Sequence, residues 1–171
     1  VRDAMQMGIA ELCFTDHVDY GVKVDWGQDA ATVRLVDGKP VLNVNYPKYF
    51  RELETLKIKY GHEIVIKRGL EFGMQMHTLP SFQKLFDTYP MDFVLLSVHQ
   101  VDDQEFWTGE FQRGRTETEC YDRYYQEMYQ LVTHYHDYSC LAHMDLIRRY
   151  LDKDEDQTAY AFSQIARILQ V

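Results

Sequence analysis

The stretch Asp92–Asp103, DFVLLSVHQVDD, settles the fold class. Phe93 to Val98 is an apolar run of strand length, rich in the β-branched and aromatic types that suit a buried strand. It stops at His99, and Gln100, Asp102 and Asp103 follow at once. A strand buried along its length that then presents an imidazole and carboxylates at its C-terminal end is how α/β proteins build their sites. The same grammar occurs three more times. Glu11–Thr15 (ELCFT) runs into Asp16 and His17, Ile64–Leu70 (IVIKRGL) into Glu71, and Ser139–Ala142 (SCLA) into His143 and Asp145. Four parallel strands are predicted, each delivering a metal-competent side chain at the same end.

The segments between these runs read as helices and two long loops. Val1 to Met7 has the pattern of a helix closed by Gly8 at the C′ position. Within the polar connection Val18–Asn45, TVRLV and PVLNV flank Asp37-Gly38, which predicts a hairpin whose turn needs positive φ. That excursion reads equally as a lid beside the site or as a plain surface feature. Pro47 suits the first turn of a helix whose stripe is Tyr46, Tyr49, Phe50, Leu53, Leu56 and Tyr60, ended by Gly61. Leu79-Pro80 opens a shorter helix that buries Phe82, Leu85, Phe86 and Tyr89 before Pro90 stops it. His99 to Arg115 is a loop at the strand C-terminal end. Thr116 and Glu119 then form a capping box for a long helix with the stripe Tyr121, Tyr124, Tyr125, Met128, Leu131, Val132 and Tyr135. A final helix is expected from about Asp156 to Val171.

At 171 residues and 46% hydrophobic, the chain has the size of one domain with one sizeable core. Its formal charge of −9 argues against a nucleic-acid partner, because phosphate-backbone binding needs a basic face. No apolar run approaches a membrane span and no signal-peptide pattern opens the sequence, so neither a membrane partner nor secretion is expected. Cys13, Cys120 and Cys140 are odd in number and far apart, and they read as buried thiols in a reducing, cytoplasmic compartment. Four parallel strands are too few to close a barrel of about eight strands. The expected architecture is a single α/β domain over residues 1–171: an incomplete TIM-like barrel with flanking helices, favoured over a small open sheet. The sequence opens and closes in helices without partner strands, which reads as a piece of a longer protein.

Histidine and glutamate at strand ends are ligand types for zinc, manganese or iron. Any one of His17, Glu71, His99 and His143 has an ordinary explanation as a hydrogen-bonded polar residue. Four at equivalent positions point to a metal site. His134 and His136 sit where the long helix ends, where an imidazolium complements the helix dipole. His62 follows a capping glycine and His77 lies in a loop, and none of these four is expected to be a ligand. Arg148 and Arg149 lie a few residues beyond His143, where a guanidinium suits a phosphate; a solvated helix face explains either equally well. Asp102, Asp103 and Glu105 suit a cationic part of a substrate, or are plain loop residues.

The motifs CFTDHVDYG (Cys13–Gly21), GLEFG (Gly69–Gly73), DFVLLSVHQVDD (Asp92–Asp103) and LAHMDLIRRY (Leu141–Tyr150) closely resemble, in order and spacing, those of the PHP-family histidinol-phosphate phosphatases. The resemblance implies a distorted (β/α)7 barrel with up to three divalent ions at its strand C-terminal ends. It implies that Glu71 bridges the first and second ions, that His99 and His143 complete the second, and that His17 binds the third. The implied reaction is hydrolysis of L-histidinol phosphate to L-histidinol and phosphate in histidine biosynthesis. The family also carries an opening D-x-H-x-H strand and a closing D-x-H strand, both absent from this sequence. This chain is therefore expected to hold at most one ion tightly, to be inactive by itself, and to self-associate through exposed strand edges. Rival readings are a related phosphoesterase acting on another phosphomonoester, and a non-catalytic metal-binding or assembly domain.

Overall fold

The computed structural model describes residues 1–28, 34–36, 38–151 and 158–171. A four-stranded parallel sheet organises them, built from β1 (Glu11–Val18), β4 (Val65–Gly73), β5 (Phe93–Ser97) and β8 (Cys140–Leu141), adjacent in that order. Between β1 and β4 lie a small hairpin, β2 (Leu35–Val36) with β3 (Lys39–Pro40), and helix α2 (Tyr46–Tyr60). Gly38 takes φ 73° in the hairpin turn; Thr32, Val33 and Asp37 of the expected hairpin lie outside the described residues. Helix α3 (Leu79–Thr88) connects β4 to β5, and α4 (Glu117–His134) connects β5 to β8. A short helix α1 (Arg2–Gln6) precedes β1, and α5 (Thr158–Ile168) closes the described chain and packs on α4. Asp156, where the last helix was expected to begin, lies outside the described residues.

The alternation of side chains along a strand sets the two faces of the sheet. Leu70 and Phe72 of β4 and Val94 and Leu96 of β5 point one way and are buried under helices. They meet Phe50 of α2, Phe82 and Leu85 of α3, and Tyr124, Met128, Leu131 and Val132 of α4 in one cluster. Helices α2 and α4 start as their sequences dictate. Asn45 caps α2 by accepting from the Lys48 amide at 3.1 Å, and Thr116 with Glu119 makes the reciprocal capping box of α4. The opposite face carries Glu71, Gly73, Leu95 and Ser97.

Three expectations change. β1 runs to Val18, so Asp16 and His17 lie inside the strand; its parallel pairing with β4 continues through Val18 opposite Phe72 and satisfies the backbone whatever the side-chain polarity. The loop after His99 begins with a hairpin, β6 (Gln100–Val101) paired with β7 (Gln104–Glu105). Its two turn residues, Asp102 and Asp103, have φ 54° and 57°, the left-handed pair that a two-residue turn requires. Lastly, the thiols are free but not uniformly buried: Cys120 is buried, Cys13 half-buried and Cys140 exposed. Cys140 is exposed because β8 is an outer strand, pairing only with β5 among the described strands.

Candidate metal centre

Strand register brings the site together. His17 of β1 lies directly opposite Glu71 of β4. Ser97 lies opposite Gly73, and His99 follows Ser97 by two residues, returning to the face of Glu71. Leu141 of β8 lies opposite Leu96, and His143 follows two residues later. Pairing continues to the edge of the site, where the Ala142 amide donates to the Leu96 carbonyl at 2.8 Å.

The resulting geometry converges on one carboxylate. Glu71 Oε1 lies 2.9 Å from His99 Nε2 and 2.9 Å from His143 Nε2. Ser97 Oγ donates to the same oxygen at 3.0 Å, and His17 Nε2 lies 3.5 Å from Oε2. The rings of His17 and His99 stack with centroids 4.9 Å apart. Among the described residues, Glu71, His99 and His143 form one set whose donor atoms lie within 4.8 Å of one another, and His17, Asp19 and His99 form a second. Mixed nitrogen and oxygen donors at this spacing fit a divalent transition metal.

Burial and charge oppose each other here. Burial alone would raise the Glu71 carboxyl, but hydrogen bonding and charge from His99, with His17 and Ser97 adding to it, hold it down at about 2. Burial would lower His99, yet the carboxylates of Asp19 and Glu71 on either side push it up to about 9. Asp19 is likewise pushed up by burial and brought below the usual carboxylate range by His99 and Lys23.

These residues line a cavity of about 370 Å³, with Lys23, Glu105, Trp107, Arg149 and Tyr150 among its walls. Glu105 is buried and ion-paired with Arg34, whose guanidinium stands 5.9 Å over the Trp107 ring. Arg149 faces this cavity and an adjoining groove, whereas Arg148 lines the groove alone, beside Asp145. Asp102 and Asp103 are not brought to the cavity. Asp102 is paired with Arg123, and Asp103 accepts from Gln75 Nε2 at 2.8 Å and lies 3.0 Å from His77 Nε2. His134 Nδ1 lies 2.8 Å from the Gln130 carbonyl, and His62 pairs with Glu63.

Sequence reasoning missed Asp19 and Lys23. The signal was present: Asp19 follows His17 by two, and in an extended chain both face the same way. The 4% exposure of Asp19 against an exposed His17 is a tertiary property, made by the loop folding over it.

The fold and this cluster define a class: α/β proteins that gather metal-ligating residue types at the C-terminal ends of parallel strands. The chain belongs to the PHP domain family, whose model matches residues 1–171. It is 30% identical over 151 residues to the histidinol-phosphatase of Lactococcus lactis, a match that covers 88% of this chain and 51% of that protein. Its structure resembles that of histidinol phosphate phosphatase from Lactococcus lactis, solved with zinc, L-histidinol and phosphate, with a TM-score of 0.77 and 28% identity over 99% of this chain and 61% of that one. A second solved chain, from Listeria monocytogenes, has a TM-score of 0.71 at 14% identity over 99% of this chain and 69% of that one, a likeness of fold. The chain thus spans about half the length of the Lactococcus relative. No helix among the described residues is long and apolar enough to cross a membrane.

Proposed function

We propose that the protein carrying this domain hydrolyses L-histidinol phosphate to L-histidinol and phosphate, using divalent metal held by Glu71, His99 and His143 with His17 beside them. The observation that carries this reading is the meeting of both imidazoles on one oxygen of Glu71 at 2.9 Å. It occurs in a chain similar along its length to a phosphatase solved with zinc, histidinol and phosphate. A divalent ion bound by such donors supplies Lewis acidity, making a nucleophile from water near neutral pH and taking charge from phosphoryl oxygens.

The chain's own groups support each need of that chemistry. Glu71, held near 2, stays ionised at any pH where the reaction runs. Ser97 fixes its Oε1, so the carboxylate is oriented before any ligand arrives. Arg149 faces the same cavity as His99 and His143, and its planar fork suits two phosphoryl oxygens at once. Asp102 and Asp103 have no part in this proposal, because their partners lie elsewhere.

The test is phosphate release from L-histidinol phosphate by the protein in the length its gene encodes, beside a panel of other phosphomonoesters. Release should need divalent metal, favour histidinol phosphate, and fall by about 100-fold or more in Glu71→Gln, since an oriented anionic donor is lost. Equal turnover of every phosphomonoester would move the assignment to a broader phosphoesterase. Full activity of Glu71→Gln would remove the site itself.

A further inference from the structure

Asp19 stands immediately behind His99 and is 4% exposed. Its Oδ1 lies 2.7 Å from His99 Nδ1, the nitrogen turned away from Glu71. Its Oδ2 lies 2.6 Å from Lys23 Nζ. The backbone around it is pinned as well: its amide donates to Asn43 Oδ1 at 2.9 Å, and its carbonyl accepts from the Lys23 amide at 2.9 Å. Strand β4 leaves room for the pair. A Cβ on Gly73 would stand 1.9 Å from Asp19 Oδ1 and 2.6 Å from His99 Nδ1, so no side chain fits at that position while the bond exists.

We propose that Asp19 is the positioning residue of this centre: it accepts the Nδ1–H of His99, fixing the ring so that Nε2 faces Glu71 and His143 and is the nitrogen left to ligate a divalent ion held there. The proposal rests on the metal-centre reading above. An imidazole that ligates through one nitrogen is oriented by the acceptor on its other nitrogen, and a carboxylate there also makes the ligating nitrogen more basic. The alternative is that Asp19 itself ligates, with His17 and His99. The geometry speaks against it, because both carboxylate oxygens are engaged and one carries an ammonium group at 2.6 Å. A cation already on that oxygen repels a second. Lys23 balances the buried carboxylate, so Asp19 stays an acceptor without becoming a free anionic ligand.

The experiment titrates zinc into the metal-stripped chain by calorimetry, for the wild type, Asp19→Asn, Lys23→Met and Gly73→Ala. Histidine nitrogen NMR of the zinc-loaded forms identifies which His99 nitrogen bears the proton. The wild type should show His99 protonated at Nδ1 and ligating through Nε2. Asp19→Asn, nearly isosteric, should weaken zinc binding by about 10–100-fold and shift or erase the Nδ1–H resonance. Gly73→Ala should do the same through steric separation of the pair. Lys23→Met should bind zinc at least as tightly, because it removes a charge that repels the ion and frees Asp19 Oδ2. Zinc on Nδ1 of His99 in the wild type would show that Asp19 ligates and would overturn the proposal. Unchanged affinity and an unchanged His99 signature in Asp19→Asn would also overturn it, leaving the metal centre intact. A wild-type chain that binds no zinc would instead overturn the metal-centre reading, and the proposal with it.

Discussion

His143 takes φ 52°, a left-handed conformation that costs a non-glycine residue about 1–2 kcal/mol. The Tyr124 hydroxyl of α4 donates to the His143 carbonyl and so ties this backbone to the core. Tyr124 is fully buried, and burial pushes its hydroxyl far above the usual range, so it remains a neutral donor. Tyr124→Phe should therefore lower unfolding free energy by about 1 kcal/mol, read by urea denaturation, because the His143 carbonyl loses one of its two donors and keeps the Leu146 amide. It should also weaken zinc binding while every ligand stays in place, since the turn presenting His143 is loosened. The arginines divide at this scale too. Arg149 faces the cavity and Arg148 does not, so Arg149→Ala should lower kcat/KM for the phosphomonoester by about 10–100-fold, the worth of a hydrogen bond between charged groups. Arg148→Ala should leave it within a few-fold. Equal losses in steady-state assays would show that the groove, and not the cavity, receives the phosphate.

At the scale of elements, β4 is paired on both sides and the neighbouring backbones approach it closely at Gly69. A Cβ on Gly69 would lie 2.6 Å from the Phe93 carbonyl and 3.0 Å from the Phe14 carbonyl, both backbone atoms of neighbouring strands. Gly69→Ala should thus destabilise the chain by about 1–3 kcal/mol through forced strand movement, measured as a lowered denaturation midpoint. The strands were legible in the sequence because apolar runs such as FVLLSV have no other stable place than between sheet and helices. Helices α2 and α4 were legible from their starts, Pro47 in the first and the Thr116–Glu119 capping box in the second. Where reading failed, the cause was pairing between distant segments. β1 continues through polar Asp16 and His17 because β4 supplies the hydrogen bonds, and β8 pairs with β5 over just Cys140 and Leu141. The β6–β7 turn was missed because Asp-Asp is a weaker left-handed signal than Asn-Gly. His17, Glu71, His99 and His143 could be grouped from their equivalent places at strand ends. Asp19 could not be placed behind His99 without knowing that the loop folds back under Asn43.

For the whole molecule, the arrangement of faces predicts how much metal the chain would hold. Helices cover the face of Leu70, Phe72, Val94 and Leu96, and the donors stand on the other face at the strand ends. The two donor sets among the described residues share His99, and the second depends on Asp19, which is already bonded to His99 and Lys23. His17 is half exposed, with a side-chain accessibility of 51%, and makes only the longer 3.5 Å approach to Glu71. One tightly held ion per chain is therefore expected, on Glu71, His99 and His143, with a fourth position open to water. Elemental analysis after gel filtration should give about one zinc per chain, and three would overturn the argument. Because the donors come from three separate strands, an ion held there would bind the folded sheet and not the unfolded chain. Zinc at about 100 times its dissociation constant should then add about 2.7 kcal/mol to stability, and a chelator should remove it. His17→Ala should keep nearly all of the zinc-dependent rise in melting temperature, whereas His99→Ala and His143→Ala should abolish it. A rise that survives loss of His143 but vanishes with His17 would place the ion in the second donor set instead.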